Sequence, residues 1–247
     1  MRVAIISNRV TMDYRANQKK ILDLALESIR KGAELILFPE AAATGLVNSG
    51  DASADLMVAE PVPGPRNDEW SKFATENNVY FAAGLLERDD TYIFDSAVLY
   101  NPDGDLVLHY RRNDPGWHMP TDNPHVYREG TEIPTAETDF GEVSFLICGD
   151  LWNDDVFLKL KRRNPDWLLY PFARGFDITH DIESVWNAEL VCYRDRWRES
   201  GATVLAANSF CEDPRHASVG GAWYTDRTGR LLASSLILQE SVLLVDM

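Results

Sequence analysis

The chain has 247 residues, of which 45% are hydrophobic and 26% charged, a balance that excludes intrinsic disorder and coiled coil and suits one large α/β domain, residues 1–247, with its own core. A formal net charge of -15 with scattered Lys and Arg argues against a nucleic-acid partner, which needs a basic stripe. No apolar run reaches the ~18 residues a membrane span requires, and the short apolar stretch Val3 to Ile6 is no signal-peptide core, so a cytoplasmic protein with no membrane partner is expected. Cys148, Cys192 and Cys211, odd in number and widely spaced, fit reduced thiols better than a disulfide framework.

In chain order, Val3 to Ser7 reads as a short buried strand. Asn17 to Lys31 has helical periodicity, with Leu22, Ala25, Leu26 and Ile29 assigned to the buried face and Gly32 as its stop. The apolar run Ala33 to Phe38 closes at Pro39, which makes a β-α-β unit and delivers Glu40 to a strand end. Val79 to Leu86 and Ser96 to Tyr100 are strands, and the turn sequence Asn101-Pro102-Asp103-Gly104 joins the latter to Leu106 to Arg111 as a hairpin. Asn113 to Thr131 is rich in Pro, Gly, Asp and Asn, and is read as a long loop of the kind that shapes a pocket.

Val143 to Ile147 is another buried strand and ends at Cys148. Asp154 to Arg163 follows as a helix, Trp167 to Tyr170 as a strand, Glu183 to Glu199 as a helix and Ala202 to Ala207 as a strand, before short closing strands around the Asp226 to Gly229 turn. The two halves look loosely alike, without a fixed-period repeat. Cysteine and histidine never approach the spacing of a zinc site, and no glycine loop suited to phosphate is present, so neither metal nor cofactor is expected. Asp154-Asp155 and the group Asp177, His180 and Asp181 read as a helix start and solvated acidic loops.

Two strand ends thus present reactive groups, Phe38-Pro39-Glu40 and Ile147-Cys148-Gly149-Asp150, and in α/β sheets the carboxyl ends of strands are where ligands bind. A thiol on a sharp turn after a strand is open to a substrate from one side, while the N–H of Gly149 points to the same place. Nucleophile and oxyanion donor then come together. Taken singly, Cys148 is more often a small core residue and Glu40 a solvated charge, so neither signal decides alone.

The order of these blocks resembles the nitrilase (carbon–nitrogen hydrolase) superfamily over nearly the whole chain. The resemblance is carried by Val3-Ala4-Ile5 and Gly32 to Glu40 continuing into Ala43-Thr44-Gly45, by Phe140 to Trp152 around Cys148, by Arg196 with Glu199-Ser200-Gly201, by Ala206-Ala207-Asn208 and by Gly220-Gly221. It implies a four-layer α-β-β-α sandwich, a homodimer or larger homo-oligomer, and a Glu-Lys-Cys triad acting on a small-molecule amide or related C–N compound. Glu40 and Cys148 match the triad's first and third members. The lysine does not match: Tyr110-Arg111 is followed by Arg112, and no lysine lies between Lys72 and Lys159. Guanidinium keeps a positive charge beside an oxyanion but cannot donate a proton.

No counterpart of a second family glutamate is evident in Asp114 to Asp122. Gly149 is expected to leave open space beside the thiol, and Trp152 and Trp117 are candidate pocket walls. The expected site is therefore Glu40, Arg112 and Cys148 with Gly149 and Trp152, performing hydrolysis through a cysteine acyl-enzyme. The alternative is a nitrilase-fold binder of a small molecule or protein that has lost chemistry along with the lysine.

Overall fold

A computed structural model describes residues 1–45, 50–176, 181–214 and 217–247. The first sheet contains β1 (Arg2–Ser7), β2 (Leu35–Leu37), β3 (Tyr80–Asp89), β4 (Tyr92–Tyr100), β5 (Leu106–Arg111) and β14 (Ser241–Asp246), in the order β14-β1-β2-β3-β4-β5. The second contains β6 (Thr135–Thr138), β7 (Gly141–Phe145), β8 (Trp167–Phe172), β9 (Thr203–Asn208), β12 (Ala222–Thr225) and β13 (Leu231–Ser234), in the order β13-β12-β9-β8-β7-β6. The pair β10 (Phe210–Cys211) and β11 (Ser218–Val219) forms a small ribbon. Each large sheet has three parallel strands, β1-β2-β3 or β7-β8-β9, extended by two antiparallel ones on one side and closed by a single antiparallel strand on the other. That shared plan is the likeness between the halves.

Side-chain alternation along the strands builds the layers. On the first sheet Val3, Ile5, Leu35, Leu37, Ala97 and Leu99 face the second sheet, whereas Ala4, Ile6, Ile36, Phe81 and Val98 pack on α1 (Tyr14–Arg30) and α3 (Pro65–Asn77) through Ile21, Leu24, Ala25, Trp70 and Ala74. The second sheet's outer face carries α4 (Asp154–Arg163) and α5 (Ile182–Ser200), anchored by Phe157, Leu160, Trp186, Tyr193 and Trp197. The result is the α-β-β-α sandwich. A short helix, α2 (Ala52–Val58), sits over a satellite cluster of Leu86, Ile93, Trp117 and Tyr127.

Local chemistry sets most boundaries. Asp13 caps α1 by accepting from the N–H groups of Arg15 and Ala16, Asn153 caps α4, and Asp181 caps α5. Asp154 and Asp155 occupy the first turn of α4, where the helix dipole favours acids. Gly32 takes a left-handed φ of 86° just past the end of α1. The buried face of α1, however, is Asn17, Gln18, Ile21, Leu24, Ala25 and Ser28, while Leu26 is 38% exposed. The expected apolar face was displaced because Asn17 and Gln18 are buried as hydrogen-bonding residues, to the Thr11 region and to Trp70 and Glu69. No helix among the described residues is long and apolar enough to cross a membrane.

Candidate active site

Three strand ends meet at one edge of the sandwich. Glu40 follows β2 in a tight turn in which Ala41 has a φ of 45°. That turn lies directly against β3, where a Cβ on Gly84 would sit 2.7 Å from the Cα of Glu40 and 2.6 Å from the carbonyl oxygen of Pro39. Only glycine at 84 lets the turn come so close, and the N–H of Gly84 donates to Pro39 O at 3.0 Å.

Arg112 follows β5, and alternation decides its direction. Arg111 points to the outer face, where with His109 and Ser96 it surrounds the buried carboxylate of Glu87. Arg112 points inward and is only 3% exposed. Its Nη1 donates to Glu40 Oε1 at 2.9 Å and to Asp95 Oδ2 at 3.5 Å, and its Nη2 donates to Asp114 Oδ1 at 3.1 Å. Asp95 comes from β4, and the N–H of Arg112 donates to its carbonyl at 2.8 Å.

Cys148 opens a 3₁₀ turn, Cys148–Trp152, after β7, with a φ of 44°. A non-glycine residue in the left-handed region carries local strain and is a recurrent feature of catalytic turns. Two side chains hold the turn from behind. Tyr170 donates to the Cys148 carbonyl at 2.7 Å, and Arg196 on α5 donates to the Leu151 carbonyl at 3.0 Å and to Asp154 at 2.9 Å. The Arg196 singled out in the sequence thus braces the Cys148 turn, and Asn208 does the same for the next strand end by accepting from Arg174 N–H and donating to Gly220 O.

Asp150 ties the cysteine turn to the arginine. Its Oδ2 accepts from Tyr110 Oη at 2.6 Å and Ile147 N–H at 2.9 Å, and its Oδ1 accepts from the N–H groups of Asn113 at 3.0 Å and Asp114 at 2.8 Å. Burial pushes this carboxyl up to about 6, against the opposing pull of Arg112 and these donors. Burial and the neighbouring Glu40 push the Cys148 thiol up to about 12, with Arg112 acting the other way. At neutral pH this favours the thiol over the thiolate. The Asp114 carboxyl is held below its usual range: burial opposes this, but the Gly116 N–H and Arg112 prevail.

The site opens into a cavity of about 470 Å³ whose walls include Arg112, Asp114, Cys148, Gly149, Trp152 and Tyr193. Trp152 is 45% exposed and stands edge-on to Tyr193, with ring centroids 4.9 Å apart. Arg174, paired to Glu189 at 2.8 Å, and Cys192 line the far side. Glu40, Arg112, Cys148, Gly149 and Trp152 are thus brought together. Trp117 is not: it is buried against Tyr127 in the satellite cluster. Asp177 and His180 lie outside the described residues.

The space beside Gly149 is also not open. A Cβ there would overlap Arg112 Nη2 and Asp114 Oδ1, so the missing side chain makes room for the guanidinium and its partner. Asp114, Asp95 and Asp150 are site residues without an assigned place in the sequence reading. The available signal for Asp95 was an acid inside an otherwise apolar strand with neighbours on both sides, Tyr92–Tyr100.

The carbon-nitrogen hydrolase family model matches residues 2–247. The chain belongs to that family. Among curated relatives, nitrilase 3 of Arabidopsis thaliana is 27% identical over 242 residues, covering 87% of this chain, and the chain spans only 64% of that relative's length. Deaminated glutathione amidase of Mus musculus is 28% identical over 247 residues, covering 94% of this chain and 73% of the relative. A solved amidase from Nesterenkonia sp. AN1, carrying acrylamide added at its active site cysteine, superimposes with a TM-score of 0.82 at 20% identity, covering 100% of this chain and 93% of the other. This last likeness concerns the fold.

Proposed function

We propose that the protein hydrolyses the carbon–nitrogen bond of a small-molecule amide through an acyl-enzyme on Cys148. What supports this reading is the convergence of Cys148, on a left-handed turn, with the guanidinium of Arg112 on the wall of one cavity and the buried Glu40 carboxyl on that guanidinium. As sulfur bonds to the carbonyl carbon, the thiol proton passes to Glu40 and the carbonyl electrons move to oxygen. The Gly149 N–H and the Arg112 charge face that oxyanion. Collapse breaks the C–N bond while Glu40 gives its proton to the departing nitrogen. Water then attacks the thioester, Glu40 accepts its proton, and on collapse returns a proton to the leaving thiolate.

Cys148→Ala and Glu40→Gln are each expected to abolish turnover, assayed across a panel of amides, nitriles and N-carbamoyl compounds. Wild-type rates in Cys148→Ala would overturn the mechanism. The second reading, a binder that has lost chemistry, draws on one observation: the cation in contact with Glu40 is a guanidinium, which does not transfer protons. Intact-protein mass spectrometry separates the two. A transient acyl mass on Cys148 supports hydrolysis, and no adduct or product across the panel supports the binder.

A further inference from the structure

Asp95 is 1% exposed and sits on β4 between β3 and β5, with no route to water for its charge. Its contact with Arg112 is the longest of that guanidinium's three carboxylate contacts, 3.5 Å against 2.9 Å to Glu40 and 3.1 Å to Asp114. Its Oδ2 and Glu40 Oε1 share one donor, Arg112 Nη1, which brings the two carboxyls side by side. Glu40 Oε2 and Asp95 Oδ1 are both buried and receive no N–H or O–H from the described residues. Two buried carboxylates meeting in this way repel, and each keeps an oxygen that nothing satisfies. One proton between them removes both costs. The charges facing Asp95 are Glu40 from the turn after β2, Arg112 from the end of β5 and Asp150 from the 3₁₀ turn, two acids against one cation.

We propose that Asp95 is a positioning residue of the reaction, held as a carboxylic acid that donates its proton to Glu40 and fixes Glu40 as the base facing Cys148. Burial and the adjacent Glu40 both act in this direction, holding the Asp95 carboxyl well above the usual carboxylate range. The proton count closes: the pair holds one proton at rest, two after the thiol proton reaches Glu40, and one again once Glu40 protonates the leaving nitrogen. The Asp95 proton stays on the pair throughout. Arg112 then supplies charge alone, and a guanidinium suffices for that. The catalytic part of this inference rests on the reading of Glu40 as base.

The test contrasts Asp95→Asn, which keeps a donor of the same shape without charge, with Asp95→Leu, which removes the donor. Difference infrared spectroscopy at neutral pH is expected to show the carbonyl stretch of a protonated carboxylic acid in the wild type and to lose it in Asp95→Asn. Alkylation of Cys148 by iodoacetamide, followed by peptide mass across pH, is expected to keep its rate and profile in Asp95→Asn. In Asp95→Leu it should slow by about tenfold or more, a share of what a positioned base contributes.

No acid band in the folded wild type overturns the shared proton. Asp95→Asn as slow as Asp95→Leu shows that the negative charge matters, and overturns the assignment even if the leucine variant is poorly folded. Glu40→Gln alkylating as fast as wild type, with the wild-type band present, removes the base and with it the catalytic role, while the proton itself stands.

Discussion

Substituting Gly149 by alanine tests the packing of Arg112 without knowledge of the substrate. The new methyl would occupy the space now held by Arg112 Nη2 and Asp114 Oδ1, both well inside van der Waals contact. The methyl has little freedom to avoid them. Tyr170 fixes the Cys148 carbonyl from one side, and the Asp150 carboxylate pins the N–H groups of Ile147, Asn113 and Asp114 from the other. The guanidinium must yield. Overpacking of a well-filled site costs about 1–3 kcal/mol, and breaking the charge-assisted bond to Asp114 adds about 1.5–3 kcal/mol, so a loss of roughly 2.5–6 kcal/mol is expected in urea unfolding at neutral pH.

Alkylation of Cys148 should fall in parallel, because the displaced cation no longer offsets the Glu40 charge on the thiol. It has to be read at peptide level, since Cys192 is the more exposed thiol. Arg112→Lys in the same background shortens the offending group and should recover part of both losses. If Gly149→Ala is as stable and as reactive as wild type, the guanidinium does not occupy that space and the account of Arg112 given above fails.

Two further outcomes follow from the same groups. Arg112→Lys alone is expected to retain or raise turnover, since an ammonium can hold charge and share a proton, while stability drops by about 1.5–3 kcal/mol because one point charge cannot span Glu40, Asp95 and Asp114 together. A folded but inactive lysine variant would show that guanidinium geometry is required. On the outer face, burial would push Glu87 up, but hydrogen bonds from His109, Arg111 and Ser96 bring it down to about 2 from its usual 4.5. A lowered acid stabilises the fold fully above pH 4.5, and that contribution disappears as pH falls toward 2. Glu87→Gln should therefore cost about 2 kcal/mol at neutral pH, allowing for the partial solvent access of Arg111 and His109, and flatten the acid limb of a urea-midpoint titration. An unchanged acid limb would remove Glu87 as its source.

Which parts of this were legible in the sequence depends on the range of the determining contacts. Local signals placed Glu40 and Cys148 at strand ends, Pro39 in one case and the Cys148-Gly149-Asp150 turn in the other, but it was the resemblance to the nitrilase superfamily that singled them out as a pair. Arg112 was found through the same resemblance, as the residue after Tyr110-Arg111 where the family carries its lysine, and in the fold alternation sends it inward while Arg111 goes out. Asp95 and Asp114 were not, because their roles come from register and loop closure. Asp95 meets Glu40 only when β4 has paired with β3, and Asp114 is placed by the hydrogen bonds from its own N–H and that of Asn113 to Asp150. The helix Pro65–Asn77 escaped notice because its buried residues are just Asn67, Trp70 and Ala74, too few to set a period, and strand Thr135–Thr138 because it is short and mostly polar.

These hidden residues also explain how the site holds an arginine. Three features accompany it: Gly149, which vacates the volume; Asp114, which accepts the second amino group; and Asp95, which takes up part of the first. Each is tied to the guanidinium: the glycine alone would leave a gap, Asp95 is buried beside Glu40, and Asp114 holds Arg112 Nη2 while also accepting from the Gly116 N–H and Asn153. Such mutual dependence predicts non-additive energies among positions 95, 112, 114 and 149. It also implies that the arginine is built into the site, because a guanidinium merely tolerated in a lysine's place would have no use for a second carboxylate on its Nη2 or for the absent Cβ at Gly149.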